Sequence, residues 1–370
     1  MNEQKSPVYF TTFRATLEEN LLQKLRRLVI KAGITKIDFS GLYTAIKIHF
    51  GEPGNLAFLR PNFARVIVDI VKEQGGKVFL TDCNTLYVGG RKNALDHLDA
   101  AYANGFSPFS TGCHILIADG LKGTDETLVA VPDGTYVKQA KIGRAIMDAD
   151  IFISLTHFKG HEATGFGGAL KNIGMGCGSR AGKMEMHSSG KPRVEPSLCI
   201  GCGACNRNCA HDAITVANRK ASISHEKCTG CGRCIGVCPR DAVQPAGDEA
   251  FDILNKKIVE YAAAVVRGRP CFHLSLVMDV SPNCDCHGEN DAPIVPDVGM
   301  FASFNPVALD QACVDAVNKQ PVLPGSWLSE MPQTSNDRFI DTHPATNWIS
   351  QLEQGEKLGL GTRKYELIAI

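Results

Sequence analysis

Eight cysteines between Cys199 and Cys238 constrain this chain more than any other feature of it. They read Cys199-x-x-Cys202-x-x-Cys205-x-x-x-Cys209, then Cys228-x-x-Cys231-x-x-Cys234-x-x-x-Cys238-Pro239. Runs of this form hold cubane iron–sulfur clusters. The reason is reach. Three thiolates spaced by two residues wrap one loop round three corners of a cube, and the fourth has turned away towards a neighbouring cube. The spacing therefore predicts one 4Fe–4S cluster on Cys199, Cys202, Cys205 and Cys238, and a second on Cys228, Cys231, Cys234 and Cys209. Structural zinc and disulfides are the competing uses of so many cysteines. Zinc takes four ligands in pairs and needs no interlocked set of eight.

The two runs are a repeat. Cys199 maps onto Cys228 with an offset of 29 (228 − 199), and the same offset maps Asp212-Ala213-Ile214 onto Asp241-Ala242-Val243. The duplicated unit resembles the bacterial two-cluster ferredoxins. That resemblance implies a small pseudo-symmetric domain that passes electrons one at a time. Ala210 follows Cys209 where the family usually has proline, which predicts a different turn with the ligand retained.

At 370 residues the chain has room for two or three domains, and most of it lies outside the cysteine unit. A formal net charge of zero gives no long-range basic field, so neither nucleic acid nor an anionic membrane is an expected partner. Met1-Asn2-Glu3-Gln4-Lys5 leads into no apolar leader. No apolar run reaches the length of a membrane span; Tyr261–Val266 reads as part of a buried helix. Fifteen cysteines, eight of them accounted for by clusters, then predict a soluble cytoplasmic protein. Solvent-near cubanes predict an anaerobic cell.

Strand patterns fall at 8–13, 42–50, 77–81, 114–118, 151–155 and 272–280. Helical spacing covers 17–32, 61–74, 141–149 and 251–267. Asn305-Pro306 opens a further helix, a cap followed by proline in the first turn. Residues 156–193 are rich in Gly, Lys and Ser and lack sustained periodicity. Beyond Pro321 only 348–352 reads as helix, and 365–370 reads as an edge strand. Alternating strands and helices predict an α/β fold with a mainly parallel sheet flanked by helices. The expected organisation is a host domain over 1–192 and 247–370, with a ferredoxin-like α+β two-cluster domain inserted at 193–246. Two α/β domains in series are the alternative.

Polar clusters follow several predicted strands, where α/β sheets form their sites. Lys47, His49, Glu52 and Asn55 follow one; Asp82, Cys83, Asn84 and Thr85 another; His157, Lys159, His161, Lys171 and Asn172 a third; Asp279, Asn283, Cys284, Asp285, Cys286 and His287 a fourth. His157 and His161 would face one way on a helix as metal ligands, but Gly160 between them points to a loop. The glycines of 165–168 bring backbone N–H groups and Lys171 towards a phosphate or carboxylate, or serve only a tight turn. Cys284-Asp285-Cys286-His287 is the sharpest of these features. It would chelate a soft metal or a further cluster with Cys177 or Cys83, form a redox-active thiol pair, or carry two merely reduced cysteines. Cys113, Cys271 and Cys313 lie in apolar segments and read as core. Asp310 sits a turn into its helix, favouring the helix dipole or facing the cleft.

Lys47-Ile-His49-Phe-Gly-Glu52, Thr81-Asp82-Cys-Asn84-Thr85, Lys159-Gly-His161, Gly168-Ala-Leu-Lys171-Asn172, Asn283-Cys284-Asp285-Cys286 and Pro306-Val-Ala-Leu-Asp310 together resemble the family called domain of unknown function 362. The resemblance covers nearly all of the chain outside the cysteine unit and the tail. It implies an α/β host with iron–sulfur clusters and no established reaction.

From these residues we expect two 4Fe–4S clusters and an additional metal at Cys284 and Cys286. Lys47, His49, His161 and Lys171 are the candidate catalytic residues, binding a small anionic substrate or delivering protons. No flavin or nicotinamide fingerprint is visible, so the electrons would come from a redox partner protein. The rival expectation is a non-catalytic electron carrier or docking subunit, whose histidines and loop cysteines would be dispersed in the fold.

Overall fold

The computed structural model describes residues 5–87, 89–188, 191–230, 232–245 and 250–370. Cys231 and the domain boundary expected after residue 246 lie outside the described residues.

Eight strands form the main sheet: β1 (Ser6–Thr11), β2 (Tyr43–Lys47), β3 (Lys77–Asp82), β4 (His114–Ile117), β5 (Ile151–His157), β6 (Cys271–Val277), β7 (Gly299–Ser303) and β8 (Tyr365–Ala369). Their order is β8-β1-β7-β6-β5-β2-β3-β4. β7 runs antiparallel to β1 and β6, and every other neighbouring pair is parallel. The fold is therefore α/β with a mostly parallel central sheet, and residues on both sides of the cysteine runs build it.

Helices cover both faces. On one lie α1 (Leu21–Ala32) and α2 (Pro61–Glu73). On the other lie α3 (Ala169–Cys177), α5 (Phe251–Val266) and α6 (Pro306–Asn318), with α4 (Arg180–Ser188) beside them. β5 is buried along its whole length because both layers press on it. Ile151, Ile153 and Leu155 pack with Leu25 and Ile67, while Phe152 packs with Leu170 and Ile258. Each such side chain contributes roughly 1.5–3 kcal/mol. The helix ends follow local chemistry. Asn20 and Gln23 form a reciprocal capping box on α1, and Gly33, at φ 97°, closes it. Asn305 caps α6 ahead of Pro306.

Three stretches differ from expectation. Residues 141–149 are not one helix: Gln139–Gly143 is a strand paired with Glu126–Ala130, and only Arg144–Met147 is helical. Ile142 and Ile146 have helical spacing, but the antiparallel partner takes the backbone hydrogen bonds of the first half. The aperiodic 156–193 contains a tight hairpin (Lys159–His161 with Gly165–Gly167), then α3 and α4. Glycine masks the helical period there, since Gly174 lies so close to α5 that any side chain would meet the Ile258 carbonyl. The tail holds helical turns at Trp327–Glu330 and Arg338–Thr342, each with a side-chain N-cap, and Ile349–Lys357 runs past the expected 352.

The cysteine-bearing segment has local strand pairings. Pro192–Val194 pairs antiparallel with Val243–Pro245, which draws its two ends together, and Ile214–Ala217 forms a hairpin with Lys220–Ile223. One-turn helices occupy Ala204–Arg207 and Arg233–Gly236. The offset of 29 recurs in these helices (233 − 204) and in two left-handed aspartates, Asp212 at φ 47° and Asp241 at φ 51°. Among the described residues no helix is long and apolar enough to cross a membrane.

Candidate functional site

From β2 the chain moves outward to β3 and β4, and later places β5 and β6 on the other side of β2. Parallel sheets with such a reversal open a crevice above the carboxyl ends of the strands flanking it. Here a cavity of about 490 Å³ lies among those ends, lined by residues from the loops after β2, β3, β5 and β6. Asn172 of α3 ties the switch point together. Its amide donates to Leu155 O and Thr156 Oγ1 of β5 at 3.2 and 3.0 Å, and its Oδ1 accepts from Lys47 Nζ of β2 at 2.8 Å.

A buried chain of alternating charge forms one side. Lys47 Nζ lies 3.0 Å from Asp82 Oδ1, Arg91 NH1 lies 3.7 Å from Asp82 Oδ2, and Arg91 Nε lies 2.7 Å from Glu52 Oε2. Burial pushes the Asp82 carboxyl up, but Lys47, His97 and Arg91 outweigh it and hold the group below its ordinary range. Lys47 thus spends its charge on Asp82.

The loop after β6 forms the other side. Cys284 to His287 is a tight turn in which His287 N–H donates to Cys284 O at 3.0 Å. Asp285, at its centre, is fully buried and accepts from His157 Nδ1 at 2.9 Å, with Lys159 Nζ 3.4 Å away. His157 Nε2 meets Met278 O at 2.7 Å, so both of its ring nitrogens face oxygen acceptors. Burial raises the Asp285 carboxyl, and His157 with Lys159 pulls it below the usual carboxylate range. Held by Asp285, the turn presents Cys284 and Cys286 to the cavity.

Lys171 Nζ donates to Cys284 Sγ at 3.1 Å. The Cys286 thiol beside it holds Cys284 well below the ordinary thiol range; burial opposes this, and the Lys171 and Lys159 ammoniums add to it. The same contact, with burial, pushes Cys286 well above that range. Burial disfavours charge on Lys171, yet Cys284, Cys286 and Glu162 raise it above the usual lysine value. His287 is raised to about 9 by its hydrogen bond to Glu162, 3.1 Å long.

Two histidines have their tautomers set by the backbone. His161 Nδ1 accepts from Ala163 N–H and Thr164 N–H at 3.0 and 3.2 Å, and His49 Nδ1 accepts from Gly51 N–H at 3.0 Å. A neutral ring that accepts at Nδ1 carries its hydrogen on Nε2. Burial, then Arg91, keeps His49 well below its ordinary value, and so neutral.

Lys47, His49, His161, Lys171, Cys284 and Cys286, the candidate host residues, all line this one cavity. His157 does not join His161 as a ligand pair, because it is turned towards Asp285 and Met278. Cys83 and Cys177 do not reach the loop cysteines either; Cys83 Sγ donates to Cys177 O at 3.4 Å. Asp310 caps α3 across the fold by accepting from Ala169 and Leu170 N–H. The sequence reading missed Arg91, Glu162 and Lys183, and an apolar wall of Leu86, Met175, Phe251, Leu254 and Ile258. Glu162 had a signal in its place beside His161, and the wall had one in the amphipathic pattern of α5. Nothing local marks Arg91. Among the described residues, the donor atoms of His161, Cys284 and Cys286 lie within 4.8 Å of one another, as do those of Glu162, Cys286 and His287. The chain therefore carries groups able to bind a metal.

Cys199, Cys202, Cys205 and Cys238 line a second, small pocket. Backbone N–H groups point at cysteine sulfur in repeat-related fashion: Ala213 to Cys209 at 3.4 Å and Ala242 to Cys238 at 3.2 Å, with Ala221 to Cys199 at 3.4 Å. Cys209 and Cys234 belong to one apolar cluster with Leu86 and Met184 of the host. Cys228 is partly buried, its carbonyl bonded by Lys191. Lys92 pairs with Asp241, and Arg180 lies against Gly232 and Gly236, joining this segment to the sheet domain.

The fold and site define an α/β protein with a cationic, thiol-bearing cavity at the switch point of its sheet and a cysteine-rich segment packed beside it. Residues 44–315 match the family described as Domain of unknown function (DUF362), and the chain belongs to that family. No curated protein matches it. Among solved structures it is similar to the lactate racemase apoprotein from Thermoanaerobacterium thermosaccharolyticum, at 13% identity and TM-score 0.33 over 74% of this chain and 51% of that one. A protein from Thermotoga maritima is similar at 12% identity and TM-score 0.36, over 72% and 52%. This chain spans about half the length of each.

Proposed function

We propose that this chain is an iron–sulfur oxidoreductase acting on a small anionic substrate in the switch-point cavity. Residues 193–246 would be an inserted two-cluster ferredoxin domain. Cys199, Cys202, Cys205 and Cys238 would hold one 4Fe–4S cluster, and Cys228, Cys231, Cys234 and Cys209 the other. The donor set fits the group: four thiols around one pocket, with backbone N–H groups directed at sulfur, the usual support of such ligands. When bound, these clusters supply single electrons.

Leu86 carries the reading. It is 2% exposed, lines the cavity, and packs in the same cluster as Cys205, Cys234 and Ile235 of the cysteine segment. The segment is thereby a wall-neighbour of the site. Within the site, Lys159 and Lys171 would draw an anion, the Nε2–H groups of His49 and His161 would donate to it, and the apolar wall would exclude water. This convergence speaks against a non-catalytic carrier, which has no use for a shared cavity. The absence of flavin and nicotinamide fingerprints in the sequence implies a redox partner protein. We infer the cytoplasm of an anaerobic cell as its setting, where thiols and cubanes both survive.

The test is iron and acid-labile sulfide per chain after strictly anaerobic purification. About eight of each supports the proposal, and Cys238→Ser lowers both by about half. Iron-free, sulfide-free protein would end it.

A further inference from the structure

We propose that Cys284 and Cys286 form a thiol–disulfide exchange site for a small, negatively charged disulfide. This deepens the function proposed above, on which only the recycling of the pair rests.

The geometry favours organic thiol chemistry over a metal. The two sulfurs lie within 4.8 Å of each other, on a turn whose central Asp285 is fixed by His157 and Lys159. A metal on Cys284 would have to coexist with the Lys171 ammonium, which already sits 3.1 Å from that sulfur. His161, the third donor, has Nδ1 taken up by two backbone N–H groups. Its Nε2 therefore bears a hydrogen, making it a donor to the sulfur and no ligand. Both neighbours stabilise a thiolate at Cys284, the nucleophile of exchange.

The cavity selects the substrate class. Lys47, Arg91 and Lys159 are paired with Asp82, Glu52 and Asp285, which leaves the cationic Lys171 and Lys183 in the lining against Glu162. Leu86, Phe251, Leu254 and Ile258 supply an apolar part of its lining. A volume of about 490 Å³ suits a drug-sized molecule. A disulfide with a carboxylate and an apolar body meets both.

The step balances. The Cys284 thiolate attacks one sulfur of the substrate, forming a mixed disulfide and expelling the other half as a thiolate. Cys286, losing its proton, attacks Cys284 sulfur, closes the Cys284–Cys286 disulfide and expels the second half. The substrate gains two electrons and the pair loses two. When bound, the clusters would supply single electrons drawn from the redox partner protein, and two of these with two protons would restore the dithiol.

The test uses the whole chain under anaerobic conditions, its thiols reduced but its clusters left oxidised, freed of excess reductant and given no electron donor. It is mixed with dithiobis(nitrobenzoate), a dianionic aromatic disulfide whose released thiolate is coloured. Wild type should release two thiolates per chain in a fast phase and show a Cys284–Cys286 disulfide in peptide mass maps. Cys286→Ser should release one and retain the mixed disulfide on Cys284; Cys284→Ser should lose the phase. Lys171→Gln should slow this reagent about tenfold more than uncharged dipyridyl disulfide. A fast phase that survives in Cys284→Ser, a wild-type map without the Cys284–Cys286 bond, or a stoichiometric metal that Cys284→Ser abolishes would each overturn the proposal. Iron and sulfide content, measured on the same samples, reports separately on the clusters.

Discussion

Lys171 Nζ and Cys284 Sγ, 113 residues apart in sequence, meet at 3.1 Å in the wall of the cavity. The contact joins the start of α3 to the loop after β6, and it fixes a positive charge against the sulfur that the site presents. Its effect is measurable. A thiol held below its ordinary range carries more thiolate at a given pH, and removing the neighbouring ammonium moves its titration to higher pH. Lys171→Met should slow alkylation of Cys284 by iodoacetamide at pH 7 about tenfold, with Lys171→Arg much closer to wild type. Peptide mapping of the labelled chain reads the rate at Cys284 itself.

Asp285 is a buried carboxylate that accepts from His157 and faces the Lys159 ammonium. Asp285→Asn leaves His157 and Lys159 facing a neutral amide, and breaking a buried pair of this kind costs about 3–5 kcal/mol. Urea denaturation should show it as a lower midpoint with an unchanged slope. The sign with pH follows from a folded value held below the unfolded one. The stability Asp285 gives is complete above its unfolded value near 4 and is lost as pH falls further, through the folded value. The difference between wild type and variant should therefore shrink only in acid.

Asp310 has the opposite sign. Burial raises its carboxyl to about 7, against the pull of its hydrogen bonds from Leu170 and Ala169. Between an unfolded value near 4 and this folded one, folding takes up a proton, so stability falls as pH rises across that interval. Asp310→Asn should flatten the decline in melting temperature between about pH 4 and 7. Asp310→Ala should cost about 1 kcal/mol through the lost cap on α3.

Gly174 tests the tight contact of α3 with α5. In an open helix, alanine for glycine gains about 1 kcal/mol. Here the new methyl would meet the Ile258 carbonyl, and overpacking of a closed interface costs about 1–3 kcal/mol. Gly174→Ala should lower the melting temperature. An increase would mean that the two helices part freely.

Much of the host was legible because its strands end in polar residues that cannot belong to a core. Lys47, Asp82 and His157 break apolar runs at the carboxyl ends of β2, β3 and β5, a pattern that itself points to a cleft. The fold class followed from alternating periods of two and 3.6. What stayed hidden depended on distance in sequence. Nothing near Asp310 says that it caps Ala169, and nothing near Lys171 says that it meets Cys284. Periodicity also failed where glycine replaces the apolar marker, as in α3, and where a hairpin strand such as Gln139–Gly143 mimics helical spacing. The cysteine repeat was legible as a repeat because its spacing is local, and its left-handed Asp212 and Asp241 carry that local rule into the backbone.

The placement of β6 has a consequence for biosynthesis. Cys271–Val277 sits between β5 and β7, so the middle of the sheet waits for residues made after the whole cysteine segment. Until then β5 leaves the ribosome with one edge unpaired, a template for the wrong strand. The eight cysteines of the repeat emerge during that interval, beside a half-built sheet and before the turn bearing Cys284 exists. On the function proposed above, a nascent chain arranged in this way would take up its clusters before its cavity can close, and starving the cell of iron should then trap it as an aggregating, open-sheet intermediate.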